Sequence, residues 1–210
     1  MTGIAGLLLA AGTSTRMGMP KQLLPAGGQS LLDRVLGQAL QSDLDLVALV
    51  LGFKALEIME ELSIDARHPK LRIIENRNYK KGISTSIVHG LSAVEEVYDH
   101  VMVILADMPH VTSKLINHLI LRYRESRLPL GAIVTGKGRS HPVIISRSFY
   151  EEIHHLRGDA GARDLFLKHA KEVCYVEPEE PYRDVDIDTM EDYLKFKKSL
   201  DEESAGPLSS

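Results

Sequence analysis

Short, wholly apolar runs alternate along the first part of the chain with segments whose apolar residues recur at helical spacing. The run IAGLLLA (4–10) is apolar on both faces of an extended chain, as a strand buried in a parallel sheet must be. LDLVALVLG (44–52), KLRIIEN (70–76) and HVMVILAD (100–107) repeat that pattern. Between and after them, SLLDRVLGQALQ (30–41), KALEIMEELS (54–63), ISTSIVHGLSAVEEV (83–97) and SKLINHLILRYRES (113–126) predict helices, the last with Thr112 or Ser113 as its N-cap. Strand–helix alternation predicts an α/β fold, a three-layer αβα arrangement around a mostly parallel sheet. The rhythm changes after residue 130. GAIVTGKGRSHPVIIS (131–146) predicts two strands around a glycine-rich turn; two helices, a strand at EVCYVE (172–177) and a helix after Thr189 follow. The pattern contains no internal repeats. It places one domain over 1–199 and a disordered polar tail over 200–210.

In an open parallel sheet, ligands bind beyond the carboxyl ends of the strands. The loop after Ala10 and the aspartate that ends VILAD are therefore expected to face each other, far apart as they are in sequence. That loop, LAAGTSTRMGMPKQLLP (9–25), is longer than a strand–helix connection needs. Gly12, Thr13, Ser14 and Thr15 are small, so backbone N–H groups can approach phosphate oxygens closely. Arg16 adds a bidentate charged fork and Lys21 a mobile point charge. The alternative is a long turn carrying two solvated cations. A Walker loop does not fit, because Met19 and Pro20 stand between Gly18 and Lys21, and the G-x-G-x-x-G fingerprint is absent. GAIVTGKG (131–138) imitates a Walker loop, but Gly138 replaces the hydroxyl residue and the middle of the segment is a strand.

Two acidic elements complete the picture. Asp107, in LADMP (105–109), ends a buried strand at the ligand edge, where a carboxylate can hold a hard divalent cation or cap the next segment. In DVDIDTMEDY (184–193), Asp184, Asp186 and Asp188 alternate and share one face of an extended segment. Helix capping at Asp188-Thr189 accounts for one acid but not for three. A phosphate loop with Arg and Lys, facing carboxylates, is equipment for phosphoryl or nucleotidyl transfer.

Composition narrows the class. The chain has 210 residues, 44% apolar and 26% charged, enough for one substantial core. A formal net charge of -4 argues against a nucleic-acid or membrane-surface binder. Cys174 is the single cysteine, which excludes an internal disulfide and suits a reducing compartment. No apolar run approaches the roughly 20 residues of a membrane span, and the start lacks the basic region of a signal peptide. The expected location is the cytoplasm.

LLLAAGTSTRMGMPKQLLP resembles the signature L-A-A-G-x-S-x-R-M-G-x-x-K of the nucleotidyltransferases related to molybdenum cofactor cytidylyltransferase. NYKKGISTSI (78–87), LADMP, GRSHPVIIS (138–146), GDAGAR (158–163) and DIDTMEDY (186–193) follow in the family's order, so the resemblance extends to about residue 199. It implies a Rossmann-like enzyme that transfers CMP from CTP to the terminal phosphate of molybdopterin and releases pyrophosphate. Leu9, Ala10, Ala11 and Gly12 stand where guanylyl-transferring relatives carry L-A-G-G, which favours CTP and sets Ala11 against the base. On this reading Lys21 serves the α-phosphate. Arg16 and the Gly12–Thr15 amides hold the β- and γ-phosphates. Asp107 and Asp188 bind Mg²⁺, or Mn²⁺ in its place, with Asp186 as the other choice for second ligand. Ser84 and Ser86 contact base or ribose, or else cap a helix. His141, Asp159 and Arg163 line the acceptor side, with plain structural roles as the alternative. The molybdenum cofactor and a client molybdoenzyme are the implied partners. A sugar-phosphate nucleotidyltransferase and a non-catalytic cofactor carrier are the competing functions.

Overall fold

Ile4–Ala10 is buried along its whole length, and it forms the central strand, β1. The computed structural model of the chain describes residues 3–13 and 19–205. The other strands are β2 (Leu46–Leu51), β3 (Leu71–Glu75), β4 (His100–Leu105), β5 (Leu130–Thr135), β6 (Gly138–Ser146) and β7 (Val173–Val176). They make one seven-stranded sheet in the order β3-β2-β1-β4-β6-β5-β7. β1 pairs in parallel with both β2 and β4, β2 with β3, and β5 with β7. Only β6 runs against its neighbours β4 and β5. The link from β5 to β6 is Gly136-Lys137, a hairpin turn too short for the crossover a parallel pair requires. The mostly parallel αβα sandwich is thus the fold the alternating pattern predicts.

The helices are α1 (Leu31–Gln41), α2 (Ala55–Glu61), α3 (Ile83–Ser92), α4 (Ser113–Ser126), α5 (Tyr150–His154), α6 (Arg163–Lys168) and α7 (Met190–Ala205). Alternate residues of β1 serve opposite layers. Ile4, Leu8 and Ala10 join the core beneath α1, α2 and α4, whereas Ala5, Leu7 and Leu9 join the core beneath α3, α5 and α6. Each fully buried leucine contributes about 2 kcal/mol of transfer free energy, so both layers hold β1 in place. Thr112 caps α4, accepting from the Leu115 N–H at 3.2 Å.

Two boundaries differ from expectation. α3 stops at Ser92 although apolar spacing continues to residue 97; Val94 is still buried, but the chain there turns toward β4. α7 continues to Ala205, past residue 199, where the pattern placed the start of a disordered tail. The reason is a third apolar cluster, in which Tyr193, Phe196 and Leu200 of α7 pack on Leu24, Ala26, Leu31 and Ile187. Among the described residues, no helix is long and apolar enough to cross a membrane.

Candidate active site

The first residues after β1 are held tightly. Ala10 is buried, and its carbonyl accepts a hydrogen bond from the Gln22 side-chain amide at 2.8 Å; the Gly12 carbonyl is 3.4 Å from the same nitrogen. Ala11 lies so near Gly52 that a Cβ on that glycine would stand 2.9 Å from the Ala11 carbonyl oxygen. The peptide chain at Ala10–Gly12 is therefore gripped by Gln22 below and by the end of β2 beside it. Ser14, Thr15 and Arg16, expected to hold phosphates, lie outside the described residues.

Lys21 opens a short 3-10 turn, Lys21–Leu23, and reaches across the sheet edge. Its Nζ donates to Asp107 Oδ2 at 2.6 Å, to Asp188 Oδ1 at 3.0 Å and to the Ile187 carbonyl at 3.0 Å. The backbone brings the two acids together, because the Ile187 N–H donates to the Asp107 carbonyl at 2.9 Å. Ile187 is itself buried in the α7 cluster, so the packing of α7 sets the position of Asp188. Burial opposes the charge on Lys21, but Asp107 and then Asp188 outweigh it, and the amine is held above the ordinary lysine pKa. The expected meeting of Lys21 with Asp107 is thus observed, with the ammonium seated on the carboxylates.

The three alternating aspartates have separate tasks. Asp184 accepts from Ser140 Oγ and from Thr135 Oγ1, which fastens the segment to the β5–β6 hairpin. Asp186 is raised above the usual carboxylate pKa, first by burial and then by the negative charges of Asp107, Asp188 and Asp184. No hydrogen bond among the described residues uses their carboxylates to cap α7; the backbone of Asp188 bonds the Asp192 carboxylate. Thr189 and Asp192 bond reciprocally instead, Thr189 N–H to Asp192 Oδ2 at 3.0 Å and Asp192 N–H to Thr189 Oγ1 at 3.2 Å.

A divalent cation fits this corner. Asp107 Oδ1 is buried without a hydrogen-bond partner, an orphaned acceptor at the carboxylate expected to bind metal. Among the described residues no group of three or more His, Cys, Asp or Glu could hold a metal ion by itself. A pair of carboxylates with remaining positions left to water and phosphate is the usual provision for Mg²⁺.

A cavity of about 340 Å³ opens beside the pair, beneath the ends of β1 and β4. Of the residues expected at the site, Leu9, Ala10, Ala11, Gly12, Thr13, Lys21, Ser86, Asp107 and Asp159 line it. Ser84 does not; its hydroxyl is buried with no hydrogen-bond partner, and Gly82 precedes α3 in the N-cap position. Ser86 accepts from Asn76 Nδ2 at 3.0 Å, so its orientation is fixed by a fully buried amide. Arg163 is exposed at the start of α6, outside the lining. His141 also lies outside it, with Nδ1 3.4 Å from the Val103 carbonyl of β4, and burial pushes its pKa down to about 4. The ring is neutral at pH 7.

Sequence reasoning missed Gln22, Tyr79, Lys80, Gly82 and Ile83, which also line the cavity. The signal for four of them was the position of YKKGI just after a strand end on the ligand edge. Gly82 has φ of 104°, and a Cβ there would lie 2.2 Å from the Gly158 carbonyl carbon. This close contact sets Asp159 against the mouth of the cavity, where the Ser84 N–H donates to the Gly158 carbonyl at 3.2 Å.

The chain is similar over most of its length to several known proteins. A relative named molybdenum cofactor cytidylyltransferase, from Escherichia coli, is 29% identical over 203 residues, covering 96% of this chain and all of its own. One named nicotine blue oxidoreductase, from Paenarthrobacter nicotinovorans, is 27% identical over 200 residues, covering 92% of this chain and 96% of its own. The crystal structure of Rv0371c from Mycobacterium tuberculosis H37Rv, in complex with manganese, superposes with a TM-score of 0.76 at 26% identity, covering 94% of this chain and 100% of its own. The MobA-like NTP transferase domain matches residues 6–173, and the chain belongs to that family of nucleotidyltransferases.

Proposed function

We propose that the protein transfers CMP from CTP to the terminal phosphate of molybdopterin, with release of pyrophosphate. The observation that carries this reading is the Lys21 ammonium bridging Asp107 and Asp188 at the rim of the 340 Å³ cavity. A cation-and-carboxylate corner beside an apolar-floored cleft suits a nucleoside triphosphate, whose base enters the cleft and whose phosphates meet the charges. Ala11 lies on the base side, where the Ala10–Gly12 chain is held by Gln22.

In this mechanism Lys21 turns from the carboxylates to the α-phosphate and stabilises its developing negative charge. Arg16 and the amides of Gly12–Thr15 bind the β- and γ-phosphates. Mg²⁺ would be held by Asp107 and Asp188, with Asp186 beside them; when bound it orients the triphosphate and neutralises the leaving group. An oxygen of the acceptor phosphate forms the new bond to the α-phosphorus. The bond to the bridging oxygen breaks, and its electron pair leaves with pyrophosphate. A phosphate monoester is already ionised near neutral pH, so Lys21 and the loop need only align and neutralise two anions. The setting is the cytoplasm, with a molybdoenzyme as eventual client of the product.

The test is a thermal-shift comparison of CTP, GTP, ATP and UTP in the presence of Mg²⁺, followed by pyrophosphate release with molybdopterin and with sugar phosphates. Ligand binding raises stability by RT ln(1 + [L]/Kd), so CTP should give the largest shift and molybdopterin the release. Equal shifts for all four nucleotides, or release only with a sugar phosphate, would overturn the assignment.

A further inference from the structure

The turn that carries Lys21 also carries a buried amide that the charged corner does not use. Gln22 follows Lys21 in the Lys21–Leu23 turn and is 3% exposed. Its Nε2 donates to the Ala10 carbonyl at 2.8 Å and approaches the Gly12 carbonyl at 3.4 Å. A glutamine amide nitrogen has two hydrogens, so one group can hold both oxygens. Among the described residues only His141–Pro142 is a cis peptide, so the Ala10–Ala11 and Gly12–Thr13 peptides are trans. The C=O and N–H bonds of a trans peptide point in opposite directions. Holding the carbonyls of Ala10 and Gly12 therefore turns the N–H groups of Ala11 and Thr13 away from Gln22.

Those N–H groups find no acceptor within the chain. Among the described residues, none of Ala11, Gly12 and Thr13 donates a backbone hydrogen bond, although all three line the cavity. Ala11 is buried, and an N–H in that position is completed by solvent or by a ligand. A Cβ on Gly12 would meet nothing within 4 Å, so the space beside it is open. Donors already aimed need no rearrangement when a charged ligand arrives. The same three-residue turn sets the Lys21 ammonium, so one anchor fixes both the cation and the amides.

We propose that Gln22 is a positioning residue, whose amide aims the N–H groups of Ala11 and Thr13 at the bound nucleotide. This rests on the reading of the cavity as a nucleotide site, but not on the choice of base or of acceptor. Lys21 acts on the ligand by its charge; Gln22 acts through the peptide groups it holds.

The probes are CTP and ATP, each with Mg²⁺, titrated calorimetrically into wild type, Gln22→Met and Gln22→Glu at about pH 9 and about pH 5.5. Affinities are compared as variant-to-wild-type ratios at one pH, which cancels the titration of the nucleotide itself. Gln22→Met keeps the volume and loses the donors, and should weaken binding by about 10- to 100-fold at both pH values. Gln22→Glu puts a carboxyl in the same place. Ionised, it has no hydrogen for the Ala10 carbonyl; protonated, it has one. Burial raises the pKa of such a carboxyl, so its ratio should match that of Gln22→Met at the higher pH and recover at least about fivefold at the lower. Lost packing alone would show no such recovery. Ratios near one for both variants, or a loss in Gln22→Glu that does not change with pH, would overturn the proposal. In isotope-labelled wild-type protein the Ala11 and Thr13 amide resonances should shift when nucleotide binds; unmoved resonances would overturn it even if neither variant folds. Absence of binding by either nucleotide would overturn this proposal and the transferase reading together. Equal affinity for CTP and ATP would overturn the CTP assignment alone, and the glutamine ratios would still decide the role of Gln22.

Discussion

Replacing Lys21 by methionine removes one charge and keeps most of the side-chain volume. The lysine is 14% exposed and Asp107 is 22% exposed, with 2.6 Å between their charged atoms. Unit charges about 4 Å apart attract by about 4 kcal/mol at an effective dielectric near 20. Desolvation of both groups returns roughly half of that, so the pair contributes about 2 kcal/mol net. Asp188 is 51% exposed and adds little. Loss of Lys21 also leaves Asp107 facing Asp188 with one orphaned oxygen already present. Lys21→Met should therefore lower unfolding free energy by about 2–3 kcal/mol in urea titration and turnover by at least about 100-fold. Mn²⁺ affinity without nucleotide, read by electron paramagnetic resonance, should rise because the carboxylate oxygens no longer bind an ammonium. Since the lysine pKa is raised, its contribution is complete below the ordinary value of 10.5 and disappears only as pH climbs through the higher folded-state value. A variant with wild-type stability, metal affinity and CMP transfer would refute the reasoning.

Gly82→Ala should cost on the order of 3 kcal/mol or more, because its Cβ meets backbone atoms of Gly158 at 2.2 Å and its φ is 104°; calorimetric unfolding checks this, and a cost below about 1 kcal/mol would contradict it. Asn76→Ala removes donors to Thr85 Oγ1 and Ser86 Oγ and the acceptor for the Asn78 N–H. It should destabilise by about 2 kcal/mol and weaken nucleotide binding through Ser86, as denaturant titration and CTP titration would report. His141 has a folded-state pKa of about 4, below its ordinary 6.5. Between those values the unfolded chain binds a proton that the folded one refuses, so stability is full above about pH 6.5 and falls by on the order of 3 kcal/mol as pH drops to about 4. In His141→Gln that part of the acid decline should vanish from a urea-versus-pH series.

The strands and most helices were legible because each is either wholly apolar or periodic over several turns, and the sheet edge followed from strand direction. Asp107 could be placed opposite Lys21 on that basis alone. The contact itself could not, since it depends on the Ile187 N–H meeting the Asp107 carbonyl, and Ile187 is positioned by α7 through Leu24 and Leu31. Spacing likewise put Asp184, Asp186 and Asp188 on one face but could not distribute their tasks. Asp184 went to Ser140 and Thr135, partners supplied by a hairpin far away in sequence. Gln22 looked like any polar residue of a turn. Its role appears only when its amide is seen beneath the Ala10 carbonyl, buried at 3% exposure. The tail expected from residue 200 read as polar because α7 shows the core a single narrow stripe, of which Leu200 is the last member.

The most direct measurement is the affinity of Mn²⁺·CTP for the wild-type protein and for Asp107→Asn, followed by electron paramagnetic resonance of the bound Mn²⁺. Tight binding to the wild type and a loss of at least about 10-fold in the variant, with the fold intact by circular dichroism, is the expected result. Equal affinity in the two proteins would mean that the metal triphosphate does not lie at Asp107.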